Sequence, residues 1–453
     1  MQRARVPLLA LTVGIVLADS AVVTLALPEI LRQLGGSVAG VAWVLIAFNL
    51  ALALAAVPAA VVCGRRHPAI PCAAGIVVFA GASATCALAP TMQVLIAART
   101  VQALGGALAL VGCLELLVAT TDERRGVARW TAAGVVGTAT GPVAGGLLTE
   151  AVSWQSIFIV QVPLTLLAVP AVLSLRPAEA PAVARAAWRH RPAVAPNLAL
   201  ALLSAALTAA LFLLVLLLVE GWRRSPATAA LTVSVVPLAA FAAPPLARGF
   251  RAGPRSETVA GCFLVSGGLV ALALLPSSDL AWTIAPQALV GLGLGLTVDS
   301  LTSDALRREG PRALHGGWTI GARHAGVVLG LAILTPVFTA DLREAQVPAQ
   351  EAVTALVLDA PLPGTTKIEL ARLLGEQLTE EQGRVPDLHP AFAALDLPAD
   401  ERAEAGALEA RLDEQLERAA TRAFRDSFVL AAGLGLAAIV LLVPVRRRSR
   451  VPT

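Results

Sequence analysis

Long stretches without one charged residue dominate this chain. Asp, Glu, Lys and Arg are absent from 33–64, 67–98, 130–149, 151–175, 192–219, 225–247, 258–278, 280–298, 324–340 and 427–445. About 20 apolar residues, rising 1.5 Å each, cross a hydrocarbon core as a helix. The pattern predicts twelve spans, near 7–28, 41–63, 69–89, 91–118, 128–149, 155–175, 197–219, 227–247, 257–276, 281–303, 317–339 and 427–445. The first follows a basic MQRAR, as a signal peptide would. No small-residue cleavage site follows it and eleven more spans do, so it reads as an uncleaved first helix.

The polar punctuation divides the spans. A Pro- and Arg-rich stretch at 176–196 joins a six-span half, 1–175, to a second half that runs over 197–339 and closes with 427–453. Basic turns recur at matching places, GRRHP after span 2 and ARGFRAGPR after span 8. Paired six-span halves point to a transporter whose site lies at their interface near mid-membrane. The expected fold is an all-α membrane protein of two six-helix pseudo-repeats, with 340–426 as a helical insertion outside. There Ile368, Leu370, Leu373, Leu374 and Leu378 recur at helical spacing, as do Leu408, Leu412 and Leu416. Such stripes must cover something. They predict a small helical subdomain packed on itself, a cap over the outward mouth, or a dock for an extracytoplasmic partner. Pro361, Pro363, Pro386, Pro390 and Pro398 mark breaks between its helices.

Composition agrees with this picture. Hydrophobic residues make up 57% of the 453 and charged residues 15%, against roughly 25% charged in soluble domains. The net charge of +4 hides a division. Residues 340–426 hold 18 acidic and 9 basic residues, net −9, and the remainder carries +13. With the N-terminus inside, 21 arginines fall in cytoplasmic loops and tails, and only Arg32, Arg223 and Arg224 in short outer loops. The positive-inside rule then places both termini in the cytoplasm. The Arg and Ala bias suggests a bacterial cell membrane. The basic balance is thus an orientation signal, and no nucleic-acid partner is expected. The single lysine, Lys367, stands in no Gly-Lys pair, so the chain holds no Walker A loop. The five cysteines sit in or beside apolar runs and read as packing residues. No metal or organic cofactor is implied, and no catalytic constellation stands at usable spacing, so no enzyme is expected.

A few polar groups interrupt the apolar runs. Asp19 is the only charge between Val6 and Pro28. A lone carboxylate in hydrocarbon is costly and marks either a proton-coupling site or a hydrogen bond to a neighbouring helix. Arg99, about two turns into span 4, either snorkels outward or pairs with an acid, and Gln102 shares its face. Glu115, near the inner end of the same span, is a second protonatable group or a rim acid. In the second half, Asp299 and Asp304 of span 10 lie at the depth of Arg323 and His324 of span 11. That predicts an Asp299–Arg323 or Asp299–His324 contact, for gating or for structure. Gly137, Gly141, Gly145 and Gly146 are spaced to let span 5 approach a neighbour closely, and Pro142 permits a bend.

Six segments together resemble a known family. ADSAVVTLALP at 18–28, LIAARTVQALGGA at 95–107, GTATGPVAGG at 137–146, WQSIFIVQVP at 154–163, SPATAALTVSVVPLAAFAAPPLA at 225–247 and GARHAGVVLG at 321–330 are similar to motifs of the major facilitator superfamily, specifically its drug–proton antiporters. The resemblance covers all twelve spans but not 340–426. It implies that Asp19 and Arg99 take part in proton transfer, and that the Gly137–Gly146 motif seals the pathway against leak. Glu115 departs from the small apolar residue usual there. The loops after spans 2 and 8 lack the family's Asp, Thr24 replaces the Asn of span 1, and Gln161 replaces that of span 6. The implied function is monomeric export of a small amphipathic molecule in exchange for protons. Two alternatives remain: export of a lipid or self-made natural product, and a non-transporting membrane sensor or scaffold.

Overall fold

The computed structural model describes residues 2–35, 38–64, 67–175, 191–247, 253–306, 311–380, 387–395 and 397–442. Arg65 and Arg66, most of the linker, the basic turn at 248–252, Arg307 and Arg308, and the tail from 443 lie outside the described residues. Every regular element among the described residues is a helix. Twelve are long and apolar enough to cross a membrane. They are Arg5–Leu34, Gly40–Cys63, Ala69–Ala87, Met92–Thr120, Glu123–Ala151, Trp154–Leu173, Val194–Gly221, Pro226–Leu246, Arg255–Ala273, Leu280–Leu306, Arg312–Ala345 and Glu401–Leu442, spans 1 to 12 below. The expected boundaries hold to within a few residues except at the ends of long helices.

Local chemistry sets several starts. The Thr91 hydroxyl accepts from Val94 N at 3.3 Å, the Asp122 carboxylate from Arg125 N at 2.9 Å, and the Ser225 hydroxyl from Thr228 N at 3.2 Å. Each satisfies an amide that the first helical turn leaves without a partner. Outward faces stay apolar: Leu54, Ile70, Leu238 and Phe263 are all exposed, as lipid contact requires.

Pairwise packing repeats at an offset of six. Spans 1 and 5, 2 and 4, 3 and 4, and 3 and 6 pack together in the first half; 7 and 11, 8 and 10, 9 and 10, and 9 and 12 do so in the second. Glycines carry one of these pairs in both halves. A Cβ on Gly137 or Gly145 would overlap the Gly14 or Val22 carbonyl of span 1, and one on Gly141 would lie 3.0 Å from the Ala18 oxygen. The counterparts Gly326 and Gly330 of span 11 press on the Ala201 and Ala205 carbonyls of span 7. Gly146 does not share the face of the other three motif glycines. One residue adds about 100° to a helix, which turns it onto Pro226 and Ala230 of span 8, across the two halves.

The insertion does not begin as a loop. Span 11 continues as one helix, Arg312–Asp359, about 72 Å long and so well beyond a core of about 30 Å. It leads into Gly364–Glu380, His389–Ala393 and Ala399–Ala423. Gaps fall at Pro361 and Pro363, Pro390 stands in the first turn of a short helix, and Pro398 caps the last helix of the insertion. The leucine stripes meet each other: Leu370, Leu374, Leu408, Leu412 and Leu416 close a separate core with Val353, Val357 and Phe392. Ile368 stays outside it, 74% exposed. Of the three expectations, the self-packed subdomain describes this arrangement. It sits on the second half, where Trp222 Nε1 donates to Thr421 Oγ1 at 2.9 Å and Arg223 pairs with Asp387.

Candidate functional site

The two halves meet fully at one end only. At the end bearing the insertion, Val22–Leu31 and Val41–Ile46 share a continuous apolar core with spans 7, 8, 11 and 12. Gly146 rests on span 8 there, and the Glu150 carboxylate accepts from Ala227 N at 2.7 Å. Toward the opposite, Arg-rich end, spans 5 and 8 separate and line a cavity of about 890 Å³ with spans 7, 10 and 11. Its walls are chiefly aliphatic, including Val135, Ala139, Leu207, Val236 and Leu294, with Phe241 and Pro142. The other seam stays shut over the same depth: Gly317 and Gly321 of span 11 lie against the Ala56 and Ala53 carbonyls of span 2. At the mouth, Arg312 donates to Glu123 at 2.9 and 3.2 Å, tying span 11 to span 5.

A smaller cavity of about 90 Å³ adjoins the first and shares Thr138, Leu207, Leu211 and Arg323 with it. Its polar lining comes from Ser20, Thr24, Asn49, Ser204, Thr208 and His324. Leu211 lies within a π-helical turn, Ala209–Leu213, of span 7. Such turns displace the local register and recur at functional sites.

Behind this lining lies a closed polar network. Asp19, though alone among charges in its span, is bonded to neighbouring helices, and Arg99 pairs with it rather than snorkelling: Arg99 Nη1 donates to its Oδ2, and Gln161 and Gln102 donate to its Oδ1 at 2.9 and 3.3 Å. Arg99 also donates to Gln102 Oε1 at 2.6 Å and to the Val44 carbonyl at 3.4 Å. Its guanidinium lies 4.1 Å from the Phe48 ring centre and 5.7 Å from that of Phe158, close enough for cation–π attraction. Gln102 completes the set by donating to Ser83 Oγ at 2.7 Å. Five spans' worth of chain contributes, all from the first half, and Asp19, Arg99 and Gln102 have no solvent exposure. Arg99 Nη2 has no hydrogen-bond partner among the described residues. An ion pair removed from water persists only when its remaining donors and acceptors are largely met.

The other expected residues separate. Gln102, expected on the face of Arg99 as a cavity or gating residue, lies in this network and outside the lining of both cavities. Glu115 lies 16 residues beyond Arg99 on span 4, about 24 Å along the helix; its electrostatic neighbours are Arg312 and Glu123 at the mouth. Asp299 and Arg323 both line the large cavity but form no ion pair. His324 turns away from Asp299 and joins its Nδ1 to Asn49 Oδ1 of span 2 at 2.7 Å, an atom that also accepts from Ser20 Oγ at 3.4 Å. The reason is rotational: adjacent residues on span 11 face different neighbours, so equal depth does not bring His324 to span 10. Sequence reading missed Asn49, Ser83 and Phe48. Asn49 was within reach, because it is one of the few strongly polar side chains in the uncharged run 33–64.

Residues 9–335 match the Major Facilitator Superfamily. The chain belongs to that superfamily. The match runs from span 1 into span 11, across both six-span repeats, and the superfamily is one of membrane transporters rather than enzymes. Among solved structures it is similar to a bacterial homolog of the human lysosomal transporter Spinster, captured inward-facing and unoccupied. The TM-score is 0.61 at 16% identity, with 97% of both chains covered. Curated relatives match over shorter stretches. Multidrug resistance protein Stp of Mycobacterium tuberculosis is 37% identical over 153 residues, 32% of this chain and 28% of Stp. The methylenomycin A resistance protein of Bacillus subtilis is 34% identical over 163 residues, 35% of each chain. The tetracenomycin C resistance and export protein of Streptomyces glaucescens is 35% identical over 173 residues, 37% of this chain and 32% of that protein. The match thus spans about a third of the length of these relatives.

Proposed function

We propose that this transporter exports drug-like amphipathic molecules across a bacterial cell membrane in exchange for protons, with its Arg-rich end in the cytoplasm. The observation that carries the reading is the cavity of about 890 Å³ between the halves, apolar-walled and open at the Arg-rich end. Its size falls within the range that encloses a drug-sized ligand. The closed opposite end makes this an arrangement from which an alternating-access cycle can start. The resistance and export functions in the names of its partial relatives support the same cargo. In this reading Asp19 carries the coupling proton. Protonation would cancel its attraction for Arg99 and release a guanidinium that already lacks one partner. Ser20, beside Asp19, lines the small cavity and offers the proton a route. Gly137, Gly141 and Gly145 hold span 5 against span 1 while Pro142 lets its free end swing. Arg312, Glu123 and Glu115 govern closure at the cytoplasmic end.

Reconstitution tests this directly. Proteoliposomes bearing a pH gradient should accumulate cationic and neutral amphipathic dyes against their concentration gradients, and collapsing the gradient should stop accumulation. Downhill dye movement alone, indifferent to the pH gradient, would exclude proton exchange. No movement of any dye by folded protein would favour the sensor.

A further inference from the structure

The large cavity is lined by a cation, Arg323, that forms no ion pair among the described residues. Arg323 of span 11 lines both cavities, 11 residues in from Arg312 and so about 16 Å deep along the helix. Among the described residues it has no hydrogen-bond or ion-pair partner. The acids and polar groups that could serve it are committed elsewhere. Glu123 is bound by Arg312 at the mouth. Asp19 is bound by Arg99 and Gln161 behind span 1. His324, its neighbour in sequence, is bound to Asn49. Asp299 lines the same cavity but makes no ion pair with it, and lies exposed where water can solvate it. A half-buried guanidinium in an apolar-walled site is costly unless an anion arrives.

We propose that the cavity binds a drug-sized amphiphile with an acidic head group, carboxylate, phosphonate or sulfonate, held by Arg323 while its apolar body lies along spans 5 and 8. This rests on the exporter reading and narrows its cargo. A guanidinium presents a planar fork of donors that matches the paired oxygens of such groups. The remaining wall suits an aliphatic or aromatic body, with Val127, Val135, Val136 and Ala139 on span 5 facing Val236 and Phe241 on span 8. Spans 5 and 8 part over this depth while spans 2 and 11 stay in contact. The apolar body therefore reaches the site beside exposed Val136 and Phe241, from the cleft that faces the membrane. The volume of about 890 Å³ favours a single drug-sized acid over a diacyl lipid.

The test uses the full chain in nanodiscs and displacement of the fluorescent acid 11-(dansylamino)undecanoate. Competitors share one chain length: dodecanoate, dodecylphosphonate, dodecanol and dodecyltrimethylammonium. In the wild type both acids should compete about tenfold or more better than the alcohol and the ammonium compound, the discrimination expected of a charge-assisted bidentate contact. Arg323→Gln should abolish that preference, and Arg323→Lys should keep part of it. Equal or better competition by the ammonium compound would overturn the proposal, as would Arg323→Gln that folds and keeps the preference. If the Gln variant does not fold, the wild-type ranking and the Lys variant still decide. Phosphatidylglycerol competing as well as dodecanoate would overturn the drug-sized assignment. Dye export under a pH gradient is measured separately. Export without acid preference sinks this proposal alone, and acid binding without gradient-driven movement sinks the exporter reading alone.

Discussion

Asp19→Asn gives the sharpest test of the buried network. The wild-type carboxylate accepts from Arg99, Gln161 and Gln102, all buried. Asn keeps the shape and one acceptor but removes the charge, and turns an N–H₂ group toward either Arg99 or Gln161. Breaking a buried ion pair from one side costs about 3–5 kcal/mol, because the other charge stays buried and uncompensated. Arg99 retains Gln102 at 2.6 Å, Val44 O at 3.4 Å and the Phe48 ring, which places the expected loss near the lower end, about 3 kcal/mol. Adding Arg99→Gln removes the stranded charge. Neutral replacement of both partners is often tolerated, so the double variant should recover about 2 kcal/mol or more relative to Asp19→Asn. The assay is equilibrium unfolding in mixed micelles, followed by circular dichroism, over the full double-mutant cycle. Both variants should also lose dye accumulation under a pH gradient. If Asp19→Asn is as stable as wild type, or the double variant is no more stable than the single, Arg99 is not balanced by Asp19. If Asp19→Asn still concentrates dye against its gradient, Asp19 does not carry the coupling proton, whatever its structural worth.

Two further outcomes follow from the geometry. Gly137→Ala puts a Cβ into the Gly14 carbonyl, within 2.7 Å of Gly14 Cα, and should cost about 1–3 kcal/mol by forcing spans 1 and 5 apart; Gly81→Ala, with open space around its Cβ, should cost far less, and equal unfolding curves for the two would refute the close approach. In the insertion, the Glu409 carboxylate beside His389 raises the imidazole's pKa above its usual value. The contact's stabilisation is therefore present below about pH 6.5 and lost as pH rises through the higher folded value. An NMR titration should show the His389 value falling toward about 6.5 in Glu409→Gln, and an unchanged value would remove Glu409 as the cause.

The insertion shows how burial patterns carry over from sequence to structure. Its leucine stripes were legible as helices needing a covered face, and the structure covers them with each other. That span 11 would run unbroken to Asp359 was not legible, because the switch from apolar to polar side chains at 340 leaves helical backbone hydrogen bonds untouched.

The sequence by itself determined the twelve spans, the two halves and the glycine seam. Each depends on what one stretch of chain can do in hydrocarbon: bury its backbone polar groups within a helix, or bring a side-chain-free surface against a neighbour. Only the tertiary structure decided the partners. Asp19 and Arg99 are 80 positions apart, and His324 reaches Asn49 across 275. Distance along the chain gives depth in the membrane, but rotation about each helix and the order of helices in the bundle decide which groups of equal depth meet. That is why Asp19 gained a counter-charge that the charge gap around it did not announce, and why Arg323 and Asp299, at matching depth and both in the cavity wall, form no ion pair.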